Sequence, residues 1–287
     1  MRTMTQHSTR KQTVFFTAAV LLGFFASATL FAAEDSTENG ADEPAVTQLT
    51  GPVELFNGKT LDGWRVFVRG QEPEVDPKGV FSVADGAIRI SGEEYGGLTT
   101  VGAYADYRLT VEFKWGEKTW GNRKDRARDS GVLIHSYGKQ GGFGSVWAKS
   151  VEANVIEGGL GDVWMVSGPD DGLAATADVT VRSGVKIFDP ENGKPVTITE
   201  NAQGCFGWFG RDPEWKDVLG FRGKNDLDRP GDWNELTVVA RGDVMETFVN
   251  GTLVNRVYGL KRTAGTIQLQ SEGAEIFYRK LTIAPLE

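Results

Sequence analysis

The sequence predicts an all-β protein, two antiparallel sheets packed as a sandwich or jelly roll, and three observations carry that prediction. Short segments alternate between apolar and polar residues, the period of a half-buried strand. Turn residues separate them at short intervals, with 37 glycines in 287 residues. Helical periodicity is hard to find after the first 33 residues.

Taken in order, the first clear strand is Ala87-Ile88-Arg89-Ile90, which follows the turn Asp85-Gly86. Tyr107 to Trp115 gives the strongest alternation: Tyr107, Leu109, Val111, Phe113 and Trp115 share one face, and Arg108, Thr110, Glu112 and Lys114 the other. Val132 to Ser136, Ser150 to Ile156 and Asn234 to Ala240 read the same way. Asn250-Gly251 is an N-G hairpin turn joining Met245–Val249 to Thr252–Val257. Gly265 to Gln270 and Ile276 to Ile283 close the chain. The stretch 165–231 breaks the rhythm, with strand character only at Asp178–Arg182 and Val185–Phe188. It carries Phe206, Trp208, Phe209 and Trp215, too many aromatics for disorder, and is expected to be one long ordered insertion over one end or face of the sandwich.

Residues 1–33 read as a signal peptide. Arg2, Arg10 and Lys11 precede an apolar run from Val14 to Ala33, with an A-x-A site at Ala26-Ser27-Ala28 and a later one at Ala32-Ala33. The run approaches the roughly 20 residues of a spanning helix, but Thr17, Ser27 and Thr29 dilute it. Cleavage, and export to the periplasm or beyond, is the expectation. Residues 34–50 carry five acids and read as a flexible linker. Residues 51–287 form one domain. The formal charge is −8, and loss of the three basic residues of the leader makes it −11. So acidic a chain has no electrostatic footprint for nucleic acid or an anionic membrane. Cys205 is the only cysteine, so no internal disulfide forms, and a small buried residue is expected there.

A resemblance then emerges from motifs in a fixed order. These are Leu55-Phe56-Asn57-Gly58-Lys59 with Leu61-Asp62-Gly63-Trp64, Leu98-Thr99-Thr100, Tyr104-x-Asp106-Tyr107-x-Leu109 and Asp129-Ser130-Gly131-Val132. Glu152-Ala153-Asn154-Val155-Ile156-Glu157, Gly231-Asp232-Trp233-Asn234, Val249-Asn250-Gly251 and Gly265-x-Ile267-x-Leu269-Gln270 complete the set. Over about residues 53–285 the chain resembles the 3-keto-disaccharide hydrolase domain family. The resemblance implies a concanavalin-like jelly roll and activity on glycosides already oxidised at C3. A C3 ketone acidifies the C2 hydrogen, so a base can remove it while the C1 substituent leaves, and hydration completes a net hydrolysis. The site then needs a base, a group to polarise the ketone, and an acid for the leaving oxygen. The chain departs from the family's commoner pattern with Asp129 in place of Asn, and with its long insertion.

The candidates for that chemistry cluster on a few strands. Ser150, Glu152 and Asn154 share a face. The spacing Glu152-x-Asn154-x-x-Glu157 is similar to the Glu-x-Asp-x-x-Glu strand of laminarinase-type glycosidases, where a bulge returns the last Glu to the face of the first. Such a bulge would set Glu152 and Glu157 across a sugar as in a retaining glycosidase. Asp129, Gly131, Leu133 and His135 share a face of their strand, which makes Asp129 a candidate carboxylate and His135 a candidate base near neutral pH. Thr266, Gln268, Gln270 and Glu272 share another face, and the amides of Gln268 and Gln270 suit sugar hydroxyls. Trp147, Trp208 and Trp215 are candidate sugar-stacking aromatics, whereas Trp64, Trp115 and Trp233 read as core. In the basic run from Lys118 to Arg128, which includes Arg123, Arg126 or Arg128 is placed to reach an enolate or ketone oxygen.

A metal site built from several histidines is excluded by their number, and no organic cofactor is evident. An oxygen-rich divalent site using Asp129, Glu152, Glu157 or Asp162 stays open. Three functions follow as expectations: a 3-keto-glycoside hydrolase or lyase, a non-catalytic lectin-like sugar-binding module, and a direct retaining β-glucanase using Glu152 and Glu157. In each the partner is carbohydrate.

Overall fold

The computed structural model describes residues 43–287. The signal peptide expected at 1–33 and the first part of the expected linker lie outside the described residues. The fold is a two-sheet jelly roll. The alternation along Tyr107–Thr119 appears as predicted: Tyr107, Leu109, Val111 and Phe113 are buried, and Arg108 is exposed. That strand is central to an eight-stranded sheet, paired on one side with Asn234–Arg241 and on the other with Ala274–Pro285. Asn250 and Gly251 both take positive φ, 47° and 82°, which closes the hairpin between Val244–Val249 and Thr252–Val257.

The second sheet has eleven strands, and its middle runs Val163–Val166, Lys149–Ile156, Asp129–Tyr137, Ala264–Ser271, Gly96–Thr100 and Trp64–Val68. Between the sheets lies one core. Val132, Ile134, Val151, Ala153, Ile267 and Leu269 of the second sheet pack in it with Phe113, Tyr107, Ile276 and Tyr278 of the first. Each inward residue commits its two neighbours to the outer face, so Glu152 and Asn154 face away from the core because Val151, Ala153 and Val155 fill it.

The segment 165–231 is ordered, and it does more than cover an end. Ala175–Arg182, Val185–Phe188, Lys194–Ile198 and Phe206–Gly207 extend the eleven-stranded sheet past Val163–Val166. Val185–Phe188 and Phe206–Gly207 run parallel, so this sheet is mixed rather than wholly antiparallel. The expected linker also ends early. Val46 bridges Ala103 through the backbone, Leu49 is buried, and Glu43 pairs with Arg262, so a backbone pairing, one apolar side chain and a complementary charge anchor residues 43–50 to the domain. Trp233 is not core: its ring lies half-buried, 3.9 Å from the Arg279 guanidinium and 5.1 Å from Lys114 Nζ. Among the described residues, no helix is long and apolar enough to cross a membrane.

Candidate active site

The outer face of the eleven-stranded sheet holds a cleft of about 590 Å³. Its floor is fixed by register. Asn154 lies opposite Gly131, and Glu152 lies opposite Leu133 on one side and Trp164 on the other. Asp129 is one row further along, opposite Ile156. The next strand adds Gln270 and the turn after it Glu272.

Gly131 makes the arrangement possible. A Cβ there would stand 2.1 Å from Glu152 Oε1 and 2.6 Å from Gln270 Oε1. The bare backbone lets the glutamate and the glutamine converge over the strand between them.

Arg123, from a 3-10 turn at Gly121–Arg123, caps this group. Its guanidinium pairs with Asp129 and lies 3.3 Å from both Glu272 and Asp217. Opposite, Asp162 pairs with Arg211 and accepts the Trp208 backbone N–H at 2.8 Å. Arg211 in turn lies 4.6 Å from the Trp215 ring centre.

Burial raises the Glu152 carboxyl well above its ordinary range, and the charges of Glu272 and Asp129 add to the effect. Asp129 and Glu272 are raised by burial too, with Arg123 opposing the rise in each. Among the described residues no cation lies within hydrogen-bonding distance of Glu152, whereas Asp129 has Arg123. Asp129, Glu152 and Glu272 therefore titrate as one coupled group, in which Asp129 and Glu272 face the Arg123 guanidinium and Glu152 does not. Asp129 Oδ1, Asn154 Oδ1 and Gln270 Oε1 are buried and have no partner.

Of the residues the sequence singled out, Glu152, Asp129, Asn154, Gln270 and Trp147 line this cleft, as does Trp215. Trp147 is held by its Nε1–H donating to Gly96 O at 3.1 Å and by stacking on Tyr95 at 6.0 Å.

Five others are elsewhere. His135 leaves the shared face because the strand is bulged between Ile134 and Tyr137, and the residue takes φ 51°. Its ring turns into the core, edge-on to Tyr107 at 5.8 Å, with Nδ1 3.1 Å from Arg262 O. Burial lowers its pKa to about 4, so it is neutral at pH 7, and it does not line the cleft. Glu157 follows the end of its strand, and no bulge returns it to the Glu152 face. Its carboxylate accepts from Arg128 N, Gly220 N and Arg128 Nη1 at 2.9, 2.9 and 2.5 Å. Arg128 is engaged by that carboxylate through its backbone N–H and Nη1 and does not line the cleft. Gln268 is fully buried, donating to Thr99 Oγ1 and Gln140 Oε1 and accepting from Ala148 N, which leaves nothing for a sugar. Trp208 is 2 % exposed, which denies it a sugar-stacking role. Cys205 is buried at the cleft floor, and burial pushes its thiol up to about 12.

Pattern reading missed Arg123, Arg211, Asp217 and Trp164 as site residues. Arg123 carried a signal, membership of the only basic run in an acidic chain; Arg211 and Asp217 lie in loops with no period. Among the described residues, no group of three or more His, Cys, Asp or Glu side chains is arranged to hold a metal ion. Of the four carboxylates proposed for one, Asp129, Glu157 and Asp162 are already committed to arginines.

A jelly roll whose open face carries carboxyls, amides and tryptophans in one cleft belongs to the class of carbohydrate-directed sandwich proteins. More narrowly, the chain belongs to the 3-keto-alpha-glucoside-1,2-lyase-like domain family, whose model matches residues 51–284. No curated protein matches the sequence significantly. Among solved structures it is similar to a candidate glycosyl hydrolase from Parabacteroides distasonis (20% identity, 83% of this chain, 94% of that one, TM-score 0.46). It is also similar to the carbohydrate binding module CBM66 from Bacillus subtilis (13%, 77% and 95%, 0.43) and to Bacillus licheniformis beta-glucanase (11%, 84% and 100%, 0.39). None of these three likenesses bears on substrate.

Proposed function

We propose that the protein cleaves 3-keto-glycosides by elimination and hydration, with Asp129 as base and Glu152 as acid. The observation that carries this reading is the contrast between the two carboxyls: one held beside Arg123, the other buried without a cation. Asp129 takes the C2 proton, the C1–O bond breaks, and Glu152 gives its proton to the leaving oxygen. Water then adds across the resulting C1–C2 double bond. Its hydroxide goes to C1, its proton returns to Glu152, and Asp129, after exchanging its proton with solvent once the aglycone has left, protonates C2. Arg123 and the amides of Asn154 and Gln270 supply donors for the ketone oxygen as it gains charge.

The direct β-glucanase alternative loses its second carboxylate in the Arg128 clamp on Glu157. Export through the leader at 1–33, to the periplasm or outside the cell, is proposed with this function. The experiment is incubation with matched intact and 3-keto glycosides in D₂O. Aglycone release from the keto compound alone, with deuterium entering at C2, is expected. Sugar binding without release from either would instead make the protein a lectin-like module.

A further inference from the structure

The cleft has two chemically different halves, and Glu152 stands at their boundary. On the Gln270 side lie Asp129 and Arg123, with Asn154 beside Glu152 on the boundary strand, and the buried unpartnered polar atoms of the cleft sit on these strands and none on the strands beyond: Asp129 Oδ1, Asn154 Oδ1 and Gln270 Oε1. Buried acceptors without donors are costly unless a ligand supplies the missing hydroxyls. A polyhydroxylated ring does so.

The other half is built by the strands that follow. Trp164 stands directly across the ladder from Glu152. Val163 pairs with Phe206, which sets Cys205 beside Trp164, and the next strand contributes Val185. Val166 lies two residues along from Trp164, on the same face. Here the buried polar groups are already satisfied: Asp162 by Arg211 and the Trp208 N–H. Lys186 is likewise tied by its Nζ to Gln203 O at 2.7 Å, leaving its aliphatic stem along the wall. A second sugar placed on the Trp164, Val166 and Val185 surface would lose water from its hydroxyls against apolar side chains, with Asn201 and Gln203 as the polar residues of that lining.

We propose that this half is an aglycone site, and that the substrates are glycosides whose leaving group is aromatic or otherwise apolar. The assignment rests on the elimination reading for which ring reacts, and it narrows the substrate from glycosides in general to this class. Strands Val185–Phe188 and Phe206–Gly207 belong to the long insertion, so the insertion completes the apolar wall that Trp164 begins. With Glu152 between the halves, its proton lies where the bond between sugar and aglycone oxygen crosses the boundary.

The test is calorimetry on the full protein with 4-nitrophenyl glucoside and a glucosyl-glucose disaccharide, both intact, followed by kinetics on their 3-keto forms. The aryl glucoside is expected to bind at least about tenfold more tightly, the scale of one good aromatic contact plus its buried area. Trp164→Ala should erase that difference by weakening aryl glucoside binding about tenfold more than disaccharide binding. If that variant does not fold, Val185→Asp should reduce the preference from the opposite wall. Equal or tighter binding of the disaccharide, or a Trp164→Ala loss equal for both ligands, overturns the aglycone site. Aryl preference without turnover of either keto compound would uphold the aglycone site and overturn the elimination chemistry, so the two failures are distinct.

Discussion

Glu152 is 6 % exposed and, among the described residues, has no cation in contact, so burial holds its proton to higher pH than an exposed glutamate would. Glu152→Gln keeps the shape and the hydrogen bonding but removes the transferable proton. For a 3-keto substrate with a basic alkoxide leaving group, kcat should fall by about 10² to 10⁴. With a nitrophenolate, which leaves without protonation, the loss should be much smaller. Equal losses for both leaving groups would assign Glu152 to binding instead. Gly131 tests the geometry underneath. Gly131→Ala pushes a methyl onto the Glu152 and Gln270 carbonyl oxygens, and overpacking of this kind costs about 1 to 3 kcal/mol. The variant should melt lower yet still fold, with most activity gone, since both displaced groups face the substrate. A fully active Gly131→Ala would show that Glu152 need not lie across that strand.

At the scale of elements, the roof of the cleft is the loop carrying Arg211, Trp215 and Asp217, and Glu157 pins it. Besides accepting from Gly220 N, Glu157 offers its backbone oxygen to Trp215 Nε1 at 2.8 Å. Removing the carboxylate leaves Arg128 charged and three-quarters buried with no partner, a change that typically costs about 3 kcal/mol. Glu157→Ala should therefore lower stability by that order in urea unfolding. It should also raise KM more than it lowers kcat, because the walls loosen while the floor carboxyls stay in place. The same residue shows where sequence reading stops. Alternation along Tyr107–Thr119 and Lys149–Ile156 was legible because the core fixes one face of each strand, and it placed Glu152 and Asn154 on the outer face. The assignment of His135 to the Asp129 face failed because one bulged residue inverts everything after it, and no residue type announces that bulge. Glu157 failed for the converse reason: the bulge borrowed from another strand pattern is absent. Arg211 and Asp217 were illegible because loop residues have no period, and their roles are set by ion pairs with partners about 50 and 90 positions away.

The whole molecule is acidic, and its stability against pH is set by a few buried groups rather than by the net charge. His135 is the clearest. It is neutral in the fold with a pKa of about 4, against 6.5 for the ordinary side chain. Above pH 6.5 it is neutral both folded and unfolded and contributes no pH dependence. As pH falls below 6.5 the unfolded chain takes up a proton that the folded chain refuses, so stability is lost progressively until pH 4, by about 3 kcal/mol. Asp129, Glu152 and Glu272 act with the opposite sign. Their raised pKa values mean that stability is full below the unfolded carboxyl range and is lost as pH rises through the folded values. The acid limb of the wild-type curve therefore mixes both effects, and a difference measurement is needed to separate them. His135→Asn suits this purpose, because asparagine tolerates the positive φ of 51° at that position and does not titrate. Urea unfolding of both proteins at pH 7 and pH 4 should show the variant losing about 3 kcal/mol less than the wild type over that interval. Its activity at pH 7 should be retained, since the ring faces Tyr107 and not the cleft. An equal acid loss in both proteins would mean that His135 charges inside the fold at little cost. A dead but folded variant would return the histidine to the reaction.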